Sequence, residues 1–448
     1  MRLTYENNKE HVIGIALIFI SWLFSRAILW AWYQPLEYMD TGTYKQLASQ
    51  FASLDFSNYN GQRTPIYPLM IALLGQNNYF IWAVQSLMGL GVGIIAYIIL
   101  IRENINWRWC TFSGLMSVLA LNAMFFEPVI MTETISAFLL IAVLYYFFST
   151  IRGGGNTRQV VTLSFFVGLV VLTRPQFIVL IPILTLLLYI YLPSSRIRLS
   201  GTYLVLALMP LFAWGMFNSK HVGSFTVTTL TGYNLSNHSG AFMEKAPDEY
   251  AELRDIYLKY REQKINETGS HTMTIFVARH EMMRETGMSE IELSKEFQKI
   301  SMSLFVANPG EYFKNVAKAW ISFWPVPNYW RLELFENSDL SSGLDKIWKA
   351  QHIFIRVMNA FFLIAVVFVM WKFIKGNKSI RDELLLPVTL MAVVLGISIL
   401  QALVEYGENP RYYIPNQTVI IIVFAYYFPK LIKFSSKYWQ KKSPKVTA

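Results

Sequence analysis

Residues 12–33 read VIGIALIFISWLFSRAILWAWY, an apolar stretch interrupted by one charge, Arg26. A helix of about 20 apolar residues is long enough to cross a bilayer. The stretch is too long for the apolar region of a cleaved signal peptide, so it predicts a helix that stays in the membrane. Similar stretches lie at 79–101, 201–218, 353–373 and 384–404. With 54% hydrophobic and 15% charged residues among 448, the sequence predicts a multi-pass membrane protein.

The positive net charge of +10 follows the predicted topology. Lys and Arg residues lie mostly in every second loop between the apolar stretches, as the positive-inside rule expects of cytoplasmic loops. This distribution indicates orientation and argues against a nucleic acid partner. The parity of the basic loops predicts about ten spans with both termini in the cytoplasm. The spans are placed near 11–33, 79–101, 110–126, 130–149, 160–173, 176–192, 201–218, 352–373, 384–404 and 412–428.

The predicted fold class is an all-α integral membrane protein with two long external loops. Its parts are an N-terminal transmembrane module (1–218) that contains the first external loop (34–78), an external loop domain (219–351), and a C-terminal transmembrane module with a basic cytoplasmic tail (352–448). Apolar residues recur at helical spacing after Tyr44, which predicts an amphipathic helix in the first loop. Capping signals at Ser289 and Asn308 predict a mostly helical large loop.

Charged residues collect at the external ends of the predicted spans. They are Asp40, Arg63, Glu127, Glu133, Arg174, Glu405, Glu408 and Arg411. Charged groups near membrane depth are costly and therefore candidates for function. A guanidinium forms paired, charge-assisted hydrogen bonds with phosphate, and a carboxylate beside it suits a general base. The combination predicts a site that holds a lipid phosphate as leaving group.

Each candidate also has a purely structural interpretation. Asp40 precedes a helix and could act as its N-cap. Arg174 lies in a turn between two short spans, and Glu127 or Glu133 could serve only as its partner. Arg63 could be a loop cation, and Arg411 could extend to lipid headgroups. His238 is predicted to be a histidine in a surface loop. These alternatives stay open at the level of the sequence.

Several short motifs occur in a specific order over most of the chain. They are Asp40 followed by Tyr44, Leu47 and Ala48, then RTPIYPL (63–69), MTE (131–133), LTRP (172–175), GYNLSNHSG (232–240), NPGEYF (308–313), SFW (322–324) and PRYYIP (410–415). In this order, with many spans and one long external loop, they resemble the polytopic C-type (GT-C) glycosyltransferases. The resemblance is to the group that contains the protein O-mannosyltransferases and the lipid A aminoarabinose transferase.

This resemblance implies an inverting transfer of a sugar from a polyprenyl-phosphate donor to an acceptor hydroxyl. Asp40 would be the catalytic base. The implied donor-binding residues are Arg63, Tyr67, Glu127, Glu133, Arg174 and Arg411. Many relatives have Asp-Glu at the first site, whereas this chain has Asp40-Thr41, so a second adjacent acid is missing here.

The implied partners are the lipid-linked sugar, membrane lipids and an acceptor that is a protein, a lipid or a glycan. No cofactor is expected, and no divalent metal, because the arginines can stabilise the departing phosphate. The implied location is the bacterial cytoplasmic membrane, with the active site facing outside.

Two other functions fit a chain of this kind. A polysaccharide polymerase or ligase would also have many spans and a large external loop, but would use a lipid diphosphate donor. A transporter would place charge in mid-span, for which Arg26 is the main candidate, and would show broken helices in paired halves. The sequence shows no such pairing, which leaves the transporter as the weakest alternative.

Overall fold

The computed structural model describes residues 5–192, 195–326 and 328–442 and is all-helical within them. In these ranges no strand forms, and β-type contact is limited to an isolated parallel bridge between Leu36 and Val129. The first ten helices are α1 (Tyr5–Trp32), α2 (Thr41–Ser53), α3 (Ile66–Leu73), α4 (Asn78–Arg102), α5 (Trp107–Leu119), α6 (Leu121–Met124), α7 (Glu133–Arg152), α8 (Thr157–Val171), α9 (Leu180–Tyr191) and α10 (Arg196–Val222).

The remaining helices form the large loop and the C-terminal part. They are α11 (Thr231–Ser239), α12 (Ala251–Thr268), α13 (Thr274–Thr286), α14 (Glu290–Ala307), α15 (Pro309–Phe323), α16 (Ser338–Lys375), α17 (Lys378–Glu383), α18 (Leu385–Val404) and α19 (Gln417–Lys442). Among the described residues, six helices are long and apolar enough to cross a membrane: α1, α4, α7, α10, α16 and α18. The protein is therefore a multi-pass, all-helical membrane protein, as the composition predicts.

Three of the predicted spans are shorter than a full crossing. Helix α8 has 15 residues, and a 3-10 turn at Pro175–Val179 leads into α9, which has 12. The third predicted span, 110–126, is broken between α5 and α6. There Gln351 of α16 donates to the carbonyl of Leu119 and accepts from the amide of Leu121. One side chain thus satisfies backbone groups that the break exposes.

The predicted start of the last span, 412–428, lies before the start of the helix in the structure. The structure has a 3-10 segment at Asn409–Asn416, and α19 starts only at Gln417. Pro410 and Pro415 lack the amide hydrogen that an α-helix needs in its interior, which accounts for the delay. Arg411 therefore lies on a rigid turn between two helices rather than inside a span.

The helices of the large loop form a core of their own. Residues buried in it include Tyr233, Phe242, Tyr257, Phe297 and Leu304. The Ser289 capping box is confirmed. The Ser289 hydroxyl accepts a hydrogen bond from the amide of Glu292, and the Glu292 carboxylate accepts one from the amide of Ser289. Helix α15 begins at Pro309 as predicted, but the Asn308 side chain donates to the carbonyl of Leu304 and so completes α14 instead of capping α15.

The mid-span charge of α1 is neutralised inside the protein. Arg26 and Glu127 are both buried, with 4% and 2% of their surface exposed. Arg26 Nε donates to Glu127 Oε2 over 3.0 Å, and Arg26 Nη2 contacts the other carboxylate oxygen. Gly89 of α4 lies against this carboxylate, where a side chain would collide with it. The pair is closely packed and explains how a charge is accommodated in an apolar helix.

We expect Glu127→Leu to destabilise the protein by about 3–5 kcal/mol, because Arg26 would then be buried without a partner. The double variant Arg26→Met/Glu127→Leu removes both charges and should recover most of that loss. Thermal melting of the purified protein in detergent measures both effects. Equal melting temperatures for the single and the double variant would contradict the pairing.

Candidate active site

The segment after α1 runs beside the segment that leads into α7. The amide of Leu36 donates to the carbonyl of Pro128 over 2.9 Å, and the amide of Ile130 donates back to Leu36 over 3.0 Å. The Thr41 hydroxyl at the start of α2 donates to the Ile130 carbonyl over 3.0 Å. These bonds bring the start of α2, which follows Asp40, next to the start of α7.

A second pair of segments carries two of the candidate arginines. The Thr64 hydroxyl donates to the carbonyl of Thr173 over 3.0 Å, so the loop that bears Arg63 is fixed beside the turn that bears Arg174. The same loop bends at Gly61, whose φ of +71° is a conformation that residues with side chains rarely adopt. The segments that carry Arg63 and Arg174 therefore lie side by side.

Asp40 is held by two arginines from distant parts of the chain. Its Oδ1 accepts a hydrogen bond from Arg63 Nη2 over 2.7 Å, and its Oδ2 accepts one from Arg411 Nη2 over 3.0 Å. Its side chain is 23% exposed and gives no capping bond to the residues of α2, all of which are described. Burial raises the pKa of Asp40, but the two guanidiniums outweigh burial, so the pKa lies well below its usual value. Asp40 is therefore part of a charge cluster and not a helix cap.

Glu133 is the second acid of this cluster. Its Oε1 lies 2.8 Å from Arg411 Nε and 3.1 Å from Arg174 Nη1. Glu133 is completely buried, and among the described residues its Oε2 has no hydrogen-bond partner. Of the two acids that the sequence offers as partners for Arg174, Glu133 makes the contact. In direct contact, three guanidiniums thus meet the two carboxylates of Glu133 and Asp40.

Two tyrosine rings support the guanidiniums. The ring of Tyr412 lies under Arg174, with 4.4 Å from the guanidinium carbon to the ring centroid, and 5.7 Å from Arg411. The ring of Tyr44 lies 4.6 Å from the guanidinium carbon of Arg63. A cation over an aromatic face is attracted to it and keeps its remaining N–H groups free for an anion.

Glu405, Gln401 and Asn409 hold Tyr412 in place. The Tyr412 hydroxyl donates to Glu405 Oε2 over 2.6 Å, and Gln401 Nε2 donates to the same oxygen over 3.0 Å. Asn409 Nδ2 donates to the Glu405 carbonyl over 3.0 Å. Glu408 lies beside this group, and burial, partly offset by a nearby guanidinium, raises its pKa. Glu405 was among the charged residues singled out from the sequence. Tyr412 was not, although it lies within the PRYYIP motif.

Two of the sequence candidates do not present a functional group to this cluster. Tyr67 is fully buried, its hydroxyl donates to Gln85 Oε1 over 3.0 Å, and its ring packs edge-on against Tyr44. Tyr67 therefore supports the ring of Tyr44, which in turn lies against the guanidinium of Arg63. Glu127 pairs with Arg26 instead of Arg174, so it stabilises the helix bundle at a separate position.

His238 was expected on the surface and is instead completely buried. Its ring stacks on Tyr406, which follows α18, with the centroids 5.9 Å apart, and it meets Tyr312 edge-on at 5.5 Å. Burial lowers the pKa of His238 to about 4. The histidine thus joins the large loop to the segment that holds Glu405.

No family model matches the chain, and neither does any curated protein. Among solved structures it is similar to the archaeal oligosaccharyltransferase AglB from Archaeoglobus fulgidus in complex with an inhibitory peptide and a dolichol-phosphate. The TM-score is 0.49 and the identity 11%, over 99% of this chain and 53% of that one.

A second similar structure is the Archaeoglobus fulgidus oligosaccharyltransferase tethered with an acceptor peptide containing the NVT sequon via a disulfide bond. Its TM-score is 0.49 and its identity 12%, over 95% of this chain and 50% of that one. The chain spans about half the length of the solved structures that it matches. Similarity at this level leaves the activity to be argued from the site itself.

We expect Tyr412→Phe to destabilise the protein by about 1–3 kcal/mol, because the buried Glu405 carboxylate loses a donor. Tyr412→Leu should cost about 0.5–2 kcal/mol more, because the ring under Arg174 is lost as well. Melting temperatures of the purified variants test this order. Tyr79→Phe is the matched control, since Tyr79 is 49% exposed. If Tyr79→Phe lowered the melting temperature as much as Tyr412→Phe does, the contribution of the bond from Tyr412 to Glu405 would be refuted.

Acidification should loosen the attachment of the large loop. The pKa of His238 is about 4 in the folded protein, against 6.5 for the unperturbed side chain. The unfolded state therefore takes up the proton first, and stability falls as the pH drops from about 6.5 to about 4, by up to about 3 kcal/mol.

Melting temperatures at about pH 7 and about pH 4.5 check this expectation. His238→Phe should reduce the pH dependence, and burial likewise lowers the pKa of His271, which leaves a smaller residual effect. The exposed His280 serves as control. An unchanged pH dependence in His238→Phe would refute the role of this histidine.

Proposed function

We propose that the chain is a membrane glycosyltransferase that moves a sugar from a polyprenyl-phosphate donor to an acceptor hydroxyl. The observation that supports this most directly is the cluster in which Asp40, a partly exposed acid, lies between Arg63 and Arg411. The cluster lies where membrane-spanning helices end, which is the depth at which a lipid phosphate is found. A base and an anion site in contact are the two groups that this transfer requires.

The phosphate would be bound by the three guanidiniums of the cluster. Arg63 and Arg411 would bind it directly, since they already hold one anionic group, the Asp40 carboxylate, in common. Arg174 and Glu133 lie behind them and fix the position of Arg411. Guanidiniums placed on aromatic rings before the reaction stabilise the charge that develops on the leaving phosphate without having to reorganise. The scheme therefore requires no cofactor.

In the proposed reaction the acceptor oxygen attacks the anomeric carbon of the donor sugar. Asp40 takes the proton of the acceptor hydroxyl as the new carbon–oxygen bond forms. The bond between the anomeric carbon and the phosphate oxygen breaks, and its electron pair leaves with polyprenyl phosphate. A single displacement of this kind inverts the anomeric configuration. The acceptor is a protein, a lipid or a glycan with a free hydroxyl.

The proposed location is a bacterial cytoplasmic membrane, with both termini in the cytoplasm and the site on the outer face. In this orientation the large loop lies on the same side as Asp40, and the acceptor enters between it and the first loop. The contact of His238 with Tyr406 supports this arrangement, because it fixes the large loop beside the segment that carries Arg411.

We expect Asp40→Asn to lower sugar transfer by at least about 100-fold, because a carboxamide cannot accept the proton at neutral pH. The measurement uses purified protein in detergent, labelled polyprenyl-phosphate sugars and a crude acceptor extract, with release of free polyprenyl monophosphate as the readout. Glu37→Gln is the matched control, since Glu37 is a nearby acid that pairs with Lys45 outside the cluster.

Near-full activity of Asp40→Asn would refute its role as base. Release from a diphosphate-linked donor, with none from any monophosphate donor, would instead assign the chain to the polymerase or ligase class.

A further inference from the structure

Asp40 occupies the position in which its two arginines would bind an external anion. Each of its two oxygens accepts a hydrogen bond from a different guanidinium, Arg63 on one side and Arg411 on the other. A phosphodiester also presents two charged oxygens on one central atom, so it can accept the same two hydrogen bonds. The carboxylate therefore fills an anion site that a phosphate can use.

We propose that the donor phosphate replaces the Asp40 carboxylate between Arg63 and Arg411, and that this exchange releases Asp40 to act as a base. This inference rests on the proposed function. It states that the Asp40 base becomes active only when the donor phosphate occupies the two arginines. The base is inactive while it pairs with the arginines. Donor binding then precedes removal of the acceptor proton.

The two arginines have contacts that do not depend on Asp40. Arg63 Nε donates to the Thr43 hydroxyl over 2.7 Å, and its guanidinium lies over the ring of Tyr44. Arg411 Nε lies 2.8 Å from Glu133 Oε1. These contacts hold both guanidiniums in place when the carboxylate leaves, so the site is already formed for the phosphate.

Asp40 is the member of the cluster that is best placed to move. It is the residue before α2, and its side chain is 23% exposed, against 7% for Arg411 and 0% for Glu133. The preceding residue, Met39, is 72% exposed. Among the described residues, its carboxylate accepts hydrogen bonds from the two arginines alone, and it accepts no capping bond from α2. Rotation of this side chain toward solvent therefore breaks no further hydrogen bond or ion pair of the carboxylate within the described part of the chain.

The exchange also removes an obstacle to the chemistry. Paired with two guanidiniums, the Asp40 carboxylate has a pKa far below its usual value and is a weak proton acceptor. Loss of the arginine contacts raises its affinity for a proton. The phosphate takes over neutralisation of the arginines, so the buried guanidiniums are not left unpaired. In the transfer step the acceptor proton moves to Asp40, and the electron pair of the broken bond moves to the phosphate that the arginines hold.

Binding of undecaprenyl monophosphate, which carries no sugar, tests the exchange on the full-length protein in detergent. Asp40→Asn removes the competing charge, and we expect it to lower the dissociation constant by about tenfold or more. Arg63→Gln should raise the dissociation constant, and in that background Asp40→Asn should have a smaller effect. Glu37→Gln, which removes an acid outside the cluster, should leave binding unchanged. An unchanged or weaker affinity of Asp40→Asn would overturn the proposal.

A structure of the wild-type protein with undecaprenyl monophosphate gives the answer even if a variant does not fold. The phosphate should lie between Arg63 and Arg411, with the 2.7 Å contact from Asp40 to Arg63 broken. A phosphate bound elsewhere, with that contact intact, would overturn the exchange.

Failure of the exchange and failure of the proposed function are distinguishable. Loss of sugar transfer in Asp40→Asn without tighter phosphate binding would refute the exchange and leave the transferase intact. Absence of both transfer and phosphate binding in the wild type would refute both.

Discussion

The ion pair of Asp40 with Arg63 and Arg411 is the interaction on which the site depends. It joins residues that are 371 positions apart, and it connects the loop after α1 with the turn between α18 and α19. Each partner is kept in place by contacts of its own segment, such as the bond from Thr41 to Ile130. The pair therefore brings together three parts of the chain at one end of the helix bundle. The two guanidiniums that hold the Asp40 carboxylate are the same ones that would bind the donor phosphate in the enzyme that we propose.

Two groups of opposite charges are buried among the described helices of this protein. Arg26 and Glu127 form an isolated buried pair, and Glu133 is shared between Arg174 and Arg411. The two groups differ in composition and in access. The first has one charge of each sign and is closed, as expected of a pair that contributes to packing. The second has more guanidiniums than carboxylates in direct contact and reaches solvent through Asp40, as expected of a site that receives an anion.

The large loop takes part in the arrangement of the site although its helices have a separate core. His238 stacks on Tyr406, and the Tyr312 hydroxyl donates to the carbonyl of Leu403 over 2.8 Å. Both contacts fix the C-terminal end of α18, directly before the Glu405 carboxylate that binds Tyr412. The loop helices are thereby connected, through the end of α18, to the ring that supports Arg174. This connection gives the proposed acceptor side of the protein a physical link to the donor side.

The sequence alone determined the class of protein and the capping box at Ser289, and its ten predicted spans include the six helices that, among the described residues, are long enough to cross a membrane. These features are local, because a helix is specified by a run of apolar residues and a cap by neighbours within one turn. Sequence also selected Asp40, Arg63, Arg174 and Arg411, since charge at the end of an apolar span is conspicuous wherever it occurs. Only the tertiary structure decided which charges pair. It assigned Glu127 to Arg26, placed Tyr412 under Arg174, and buried His238, which had been expected on the surface. Pairing depends on distances between segments far apart in the chain, and no local pattern carries that information.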